Sequence, residues 1–157
     1  MQQWAVMRNV STCVSLFFVA ALAIGCAQST SAPSAPSGVE GSTALTADQL
    51  AGKWNLVSIR PFGQPERTTP ASAVYTLTLA ADGRLSTLAD CNGCVGTFAV
   101  SGQTFTAGPA LACTRAACPT MEFESIYTSL LSGDSTVTLS SQSLLLSSGR
   151  GTLRFTR

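Results

Sequence analysis

The sequence predicts an α+β domain in which an antiparallel sheet of seven or eight short strands packs on one helix and is stapled by two disulfides. Three observations carry that expectation. Short segments of alternating apolar and polar residues recur from residue 53 to residue 155, with Gly, Ser or Asp-Gly turns between them. One stretch after Pro119 changes to helical spacing, and Cys91, Cys94, Cys113 and Cys118 flank a single hairpin.

Residues 1–25 read as a secretory signal peptide. A weakly basic start carrying Arg8 leads into an apolar run over residues 14–24, too short for the roughly 20 helical residues that span a bilayer. The run ends in Leu22-Ala23-Ile24-Gly25-Cys26, which resembles the bacterial lipobox. Small residues at 23 and 25 fit that pattern, whereas Leu22 stands one place further upstream than is usual. The resemblance implies that Cys26 is lipidated and becomes the mature N-terminus. Each buried methylene of its acyl chains would then contribute about 0.8 kcal/mol of membrane attachment. With Ala27 rather than aspartate after the cysteine, the implied location is the periplasmic face of the outer membrane. Residues 26–47, rich in Ser, Thr, Ala, Pro and Gly with Pro33, Pro36, Gly38 and Gly41, have too little apolar surface to offset ordering and read as a flexible tether.

The domain is expected over residues 48–157. Residues 53–59 give a first strand, and residues 61–70 a polar loop broken by three prolines. Residues 74–79 alternate with Tyr75, Leu77 and Leu79 on one face, and Asp82-Gly83 turns the chain tightly into a strand over 84–88. Residues 96–100 and 104–107 form a hairpin about Ser101-Gly102-Gln103. Pro119 suits a first helical position, and Phe123, Ile126, Tyr127, Leu130 and Leu131 mark an amphipathic helix that Gly133 stops. Glu122 and Glu124 lie near its start, where the helix dipole favours negative charge. Residues 135–140, 144–146 and 152–155 supply three last strands.

The four cysteines fit three chemistries to different degrees. A zinc site wants tight spacing in both knuckles and a reducing compartment, but four residues separate Cys113 from Cys118, and both lie behind a secretory signal. A redox Cys-x-x-Cys wants its first cysteine at a helix start after a strand, yet Cys91 to Cys94 sits between two strands. Disulfides fit best. Across a hairpin centred near Gly102 the nested pairing of Cys91 with Cys118 and Cys94 with Cys113 suits antiparallel geometry better than pairing near neighbours.

Composition narrows function chiefly by exclusion. Charged residues are 11% of the chain against roughly 25% in soluble proteins, and the net charge after residue 25 is zero, so no basic patch points to nucleic acid. No histidine is present, which removes Ser-His and Cys-His nucleophile pairs and histidine metal ligands. Lys53 is the single lysine. The acidic residues are few and dispersed, so no catalytic site, cofactor or metal is expected.

Laid out this way, residues 50–155 resemble the META domain family, which includes the heat-inducible HslJ-like envelope proteins. The resemblance rests on Leu50-Ala51-Gly52-Lys53-Trp54-Asn55-Leu56, on Tyr75-Thr76-Leu77-Thr78-Leu79 with Asp82-Gly83-Arg84-Leu85, and above all on Cys91-Asn92 paired with Thr114-Arg115-Ala116-Ala117-Cys118. It supports the Cys91–Cys118 bridge, with Cys94–Cys113 as an added staple. Asp90 and Thr87 depart from the pattern by standing where glycines are usual. The resemblance implies a compact antiparallel β half-barrel wrapped on a helix and a stress-associated envelope role without a settled activity.

The resulting expectation is a non-enzymatic, monomeric envelope lipoprotein that binds a partner, an envelope protein being the candidate, or supports stress resistance. An inhibitor of a wall-degrading or proteolytic enzyme, using the 61–70 loop, is the alternative. An enzyme built on distant carboxylates such as Asp90 and Glu122 comes third. The candidate contact residues are Arg115, held between two bridged cysteines, and Asn92.

Overall fold

A computed structural model describes residues 44–157; the signal expected over residues 1–25, Cys26 and the tether as far as residue 43 lie outside them. The described chain forms α1 (Ala47–Leu50), β1 (Gly52–Pro61), β2 (Arg67–Thr68), β3 (Tyr75–Leu79), β4 (Arg84–Ala89), β5 (Asn92–Ser101) and β6 (Thr104–Ala107). It continues through β7 (Ala112–Cys113), α2 (Met121–Leu131), β8 (Gly133–Leu139), β9 (Ser143–Ser148) and β10 (Gly151–Thr156).

All the pairings are antiparallel and run β1, β3, β4, β5, β6, β8, β9, β10, after which β10 pairs back onto β1. The sheet therefore closes into an eight-stranded barrel. This corrects the expected half-barrel. Hairpins tie strands that are neighbours in sequence, but closure depends on a pairing between the first and last strands, Leu56 opposite Phe155 and Ile59 opposite Leu153. The two-residue strands β2 and β7 lie off the closed path, on β1 and β5.

Alternation along each strand sends one set of side chains inward, and eight strands leave an interior just wide enough for side chains to fill. Trp54, Ile59, Leu77, Phe105, Leu144, Leu153 and Phe155 do so. Closure needs local adjustment on β1. Its register against β10 shifts between Leu56 and Ser58, a bulge that bends the strand around the barrel. Gly151 then passes so close to β1 that a Cβ there would lie 2.3 Å from the Arg60 carbonyl oxygen.

Because the strands run up and down, their connections collect at two ends. Residue 51, the turns near residues 81, 102 and 141, and Arg157 lie at one end; the other holds Pro61, the Asp90 turn, α2 and the Gly149–Arg150 turn. At the first end α1 buries Leu50, whose carbonyl accepts the Trp54 indole N–H at 2.8 Å. Arg157 stacks 4.3 Å over the Trp54 ring there. Packing begins before the expected start at Asp48, since Leu45 lies against the core and donates its N–H to the Gly102 carbonyl at 3.1 Å.

At the second end α2 packs on β1, β4 and β10 through Phe123, Tyr127, Leu130 and Leu131. Tyr75 meets Phe123 and Tyr127 edge to face, with centroids 4.9 and 5.4 Å apart. The helix starts at Met121 rather than at Pro119, because Thr120 takes the N-cap position and is held there by Asp90.

Candidate functional site

The residues singled out in the sequence gather at the α2 end, around the bridge between Cys91 and Cys118. The turn from β4 to β5 places Asp90 in the left-handed region, φ +58°, the single non-glycine residue so placed among the described residues. Its short acidic side chain makes that backbone tolerable by bonding locally. Asp90 Oδ2 accepts the Thr120 N–H at 3.0 Å and its hydroxyl at 2.6 Å, which ties the turn to the start of α2 and sets a carboxylate beside the helix N-terminus. The departure from glycine at this position is thus compensated by a side-chain contact glycine cannot make.

Asn92 follows the bridge cysteine and is 2% exposed. Its Oδ1 accepts the Ala116 N–H at 2.8 Å and the Thr114 hydroxyl at 2.9 Å. Its Nδ2 donates to the Ala116 carbonyl and to the Glu124 carboxylate, each at 3.0 Å, and lies 3.1 Å from Cys118 Sγ. A single amide thereby organises the whole 114–118 segment. Expected as a contact residue, Asn92 is instead buried with its polar atoms engaged inside the domain. Arg115 is exposed on that segment and forms no ion pair among the described residues.

The second bridge joins Cys94 to Cys113, which stand directly opposite each other on β5 and β7. Both disulfides follow the nested order. The ladder that carries them reaches further than the expected hairpin: β5 begins at Asn92, and β7 resumes pairing with it after the break at Gly108.

Asp90 and Glu122, the carboxylates offered for an enzyme, serve separate structural contacts, as does Glu124. Asp90 holds Thr120, Glu124 accepts from Asn92, and Glu122 pairs with Arg67 at 2.8 Å on the surface. Tyr75 bonds Thr120 Oγ1 at 2.7 Å. Burial raises its phenol pKa, the Thr120 bond opposes that shift, and the charges of Asp90 and Glu124 add to it. Deeper in the barrel, Tyr127 lies 2.6 Å from the Thr87 hydroxyl, which donates to the Thr76 carbonyl. Here too the departure from glycine supplies a partner, in this case for a buried phenol whose pKa burial raises strongly.

Among the described residues no buried side-chain nitrogen or oxygen lacks a partner, and no three His, Cys, Asp or Glu side chains are grouped to hold a metal. The arrangement can order a loop, cap a helix and protect a disulfide. The sequence reading missed Phe62, which is 80% exposed at the tip of the turn after β1. Its signal was an aromatic residue within a loop otherwise made of polar residues, Pro and Gly.

A barrel of eight antiparallel strands, closed at one end by a helix and stapled by nested disulfides, defines a small disulfide-bonded β-barrel domain. A sequence model of the META domain matches residues 46–157, and the chain belongs to that family. Similar solved structures include a protein from Burkholderia xenovorans determined by NMR, 26% identical with a TM-score of 0.58, the match covering 71% of this chain and 85% of that one. A second NMR structure, 23% identical with a TM-score of 0.57, covers 71% of this chain and 94% of its own and shows the shared fold alone. No curated protein matches the chain.

Proposed function

We propose that this META-domain protein is a lipid-anchored component of the bacterial cell envelope whose domain binds a partner and performs no chemical turnover. The observation that carries this reading is the saturation of the polar cluster at the Cys91–Cys118 end. Asp90, Asn92, Thr120 and Glu124 are committed to one another or to the 114–118 backbone, and acid–base catalysis requires a group free to move a proton to a bound substrate. Two disulfides in so small a domain support an oxidising compartment, in keeping with the lipobox resemblance at Cys26. A stress-associated envelope role follows by analogy with the family, and a destination at the outer membrane from Ala27 after the lipobox cysteine.

The inhibitor reading draws on one observation, the projection of Phe62 from the 61–70 loop. The test common to both is purification of the full-length protein from bacterial envelopes, with intact-mass analysis and a screen for hydrolysis of peptidoglycan, peptide, ester and phosphate substrates. The expected result is a triacylated Cys26, a stoichiometric protein partner and no turnover. A water-soluble protein with unmodified Cys26, or turnover that survives repurification, overturns the reading.

A further inference from the structure

We infer that the end of the barrel around Phe62 is the docking site, and that its occupant is an acidic peptide segment of a partner protein carrying aliphatic side chains between its carboxylates. This deepens the binding reading above and rests on it. An aromatic ring 80% exposed contributes little to the fold, and the backbone that carries it is fixed. The Phe62 N–H donates to the Arg150 carbonyl at 2.8 Å, the Gln64 N–H closes a turn onto the Pro61 carbonyl at 3.1 Å, and Gly63 supplies the left-handed residue, φ +70°. A turn whose backbone is already ordered loses less conformational freedom when a partner covers the ring it carries.

The ring stands between two grooves. One, of about 430 Å³, runs along α2 past Ile126, Ser129 and Leu130 to Arg150. The other, of about 390 Å³, is bounded by Arg60, Gln64 and Ser148. Each is large enough for a side chain or two of an extended segment, not for a folded element. The charge around them has one sign. No Asp or Glu lines either groove, and one arginine lies in each. The carboxylates of Glu66 and Glu122 are already paired with Arg154 and Arg67. An aliphatic side chain against Ile126 and Phe62, flanked by carboxylates that reach Arg60 and Arg150, satisfies both the apolar and the cationic surface. The site also faces away from the end where Leu45 joins the barrel at Gly102, so a chain held from its N-terminal side leaves it open.

The test is fluorescence anisotropy with the full mature chain and a labelled hexapeptide of alternating glutamate and leucine, beside its glutamine counterpart. Saturable binding of the glutamate peptide is expected, weakened about tenfold by Phe62→Ser and by Arg60→Gln, unchanged by Arg115→Gln, and lost between about 50 mM and about 500 mM salt. Circular dichroism should show both groove variants folded. Equal binding of the two peptides, binding indifferent to Phe62→Ser, or preference for vesicles containing phosphatidylglycerol overturns the assignment. Envelope capture with the Phe62→Ser protein separates the two levels. A partner retained by that variant removes this site and leaves the binding role, whereas no partner captured even by the unaltered chain removes the binding role itself.

Discussion

Asp90 and Asn92 sit two positions apart beside one bridge, yet their side chains act in different ways. At Asp90 two effects oppose each other. A left-handed backbone costs a non-glycine residue about 1 kcal/mol, while the hydrogen bonds that Thr120 donates to the carboxylate contribute about 1.5–3 kcal/mol. The carboxylate effect is the larger, so Asp90→Gly should be modestly destabilised and Asp90→Ala, which loses the bonds and keeps the strain, by about 2 kcal/mol more than wild type. Urea denaturation at neutral pH gives the order, and an alanine variant as stable as the glycine one would refute the account. Asn92→Ala strands the Ala116 backbone and the Glu124 carboxylate together and should cost about 2–4 kcal/mol, against less than about 0.5 for exposed Arg115→Ala. The Cys-Asn and Thr-Arg-x-x-Cys motifs were legible in the sequence as a pair at this separation. What the amide does was not, because an asparagine that organises a loop and one that contacts a partner leave the same letter.

Among the elements, β1 bears the most varied duties: it pairs with β3, β2 and β10, and its bulge and its approach to Gly151 close the barrel. At Gly151, φ +145° and the 2.3 Å approach to the Arg60 carbonyl both exclude a side chain. Gly151→Ala should therefore cost about 3 kcal/mol or prevent folding, whereas Gly149→Ala, where a Cβ meets nothing within 4 Å, should be close to neutral. Comparing their denaturation midpoints decides the point; equal midpoints would mean that closure is not tight there. The strands themselves could be read ahead of the structure, because alternation in β3, β4 and β10 is a local property. Closure could not, since alternation states which face is buried but not how far strands tilt, nor that residues about a hundred apart will pair. The nested bridges were readable for the opposite reason, one hairpin bringing both pairs to its neck. Replacing Cys91 and Cys118 together by serine should cost about 2–5 kcal/mol and loosen the 114–118 segment, observable as faster amide exchange there.

At the scale of the whole barrel, the largely apolar interior holds a few buried polar side chains, and Thr76, Thr87 and Tyr127 share hydrogen bonds beneath α2. That small polar junction makes the fold's stability depend on pH in the alkaline range. Burial raises the Tyr127 pKa well above its ordinary value of 10.0, and the Thr87 bond only partly offsets the shift. The native state thus keeps the phenol protonated while an unfolded chain would release the proton. The sign follows: this contribution is fully present below about pH 10 and is lost progressively as pH rises above it. Tyr75, raised by burial in the same sense, adds to the slope, and these two are the chain's tyrosines. Tyrosinate absorbance should therefore appear together with loss of near-ultraviolet circular dichroism, not ahead of it. In Tyr127→Phe the domain should be about 1 kcal/mol less stable at pH 8, for want of the bond to Thr87, yet lose less stability between pH 9 and pH 11. Urea midpoints at those pH values, with absorbance at about 295 nm followed in parallel, measure both effects. If Tyr127 ionises in the folded protein near pH 10, or if the phenylalanine variant keeps the full alkaline slope, the junction beneath α2 is open to water and α2 does not seal that end of the barrel.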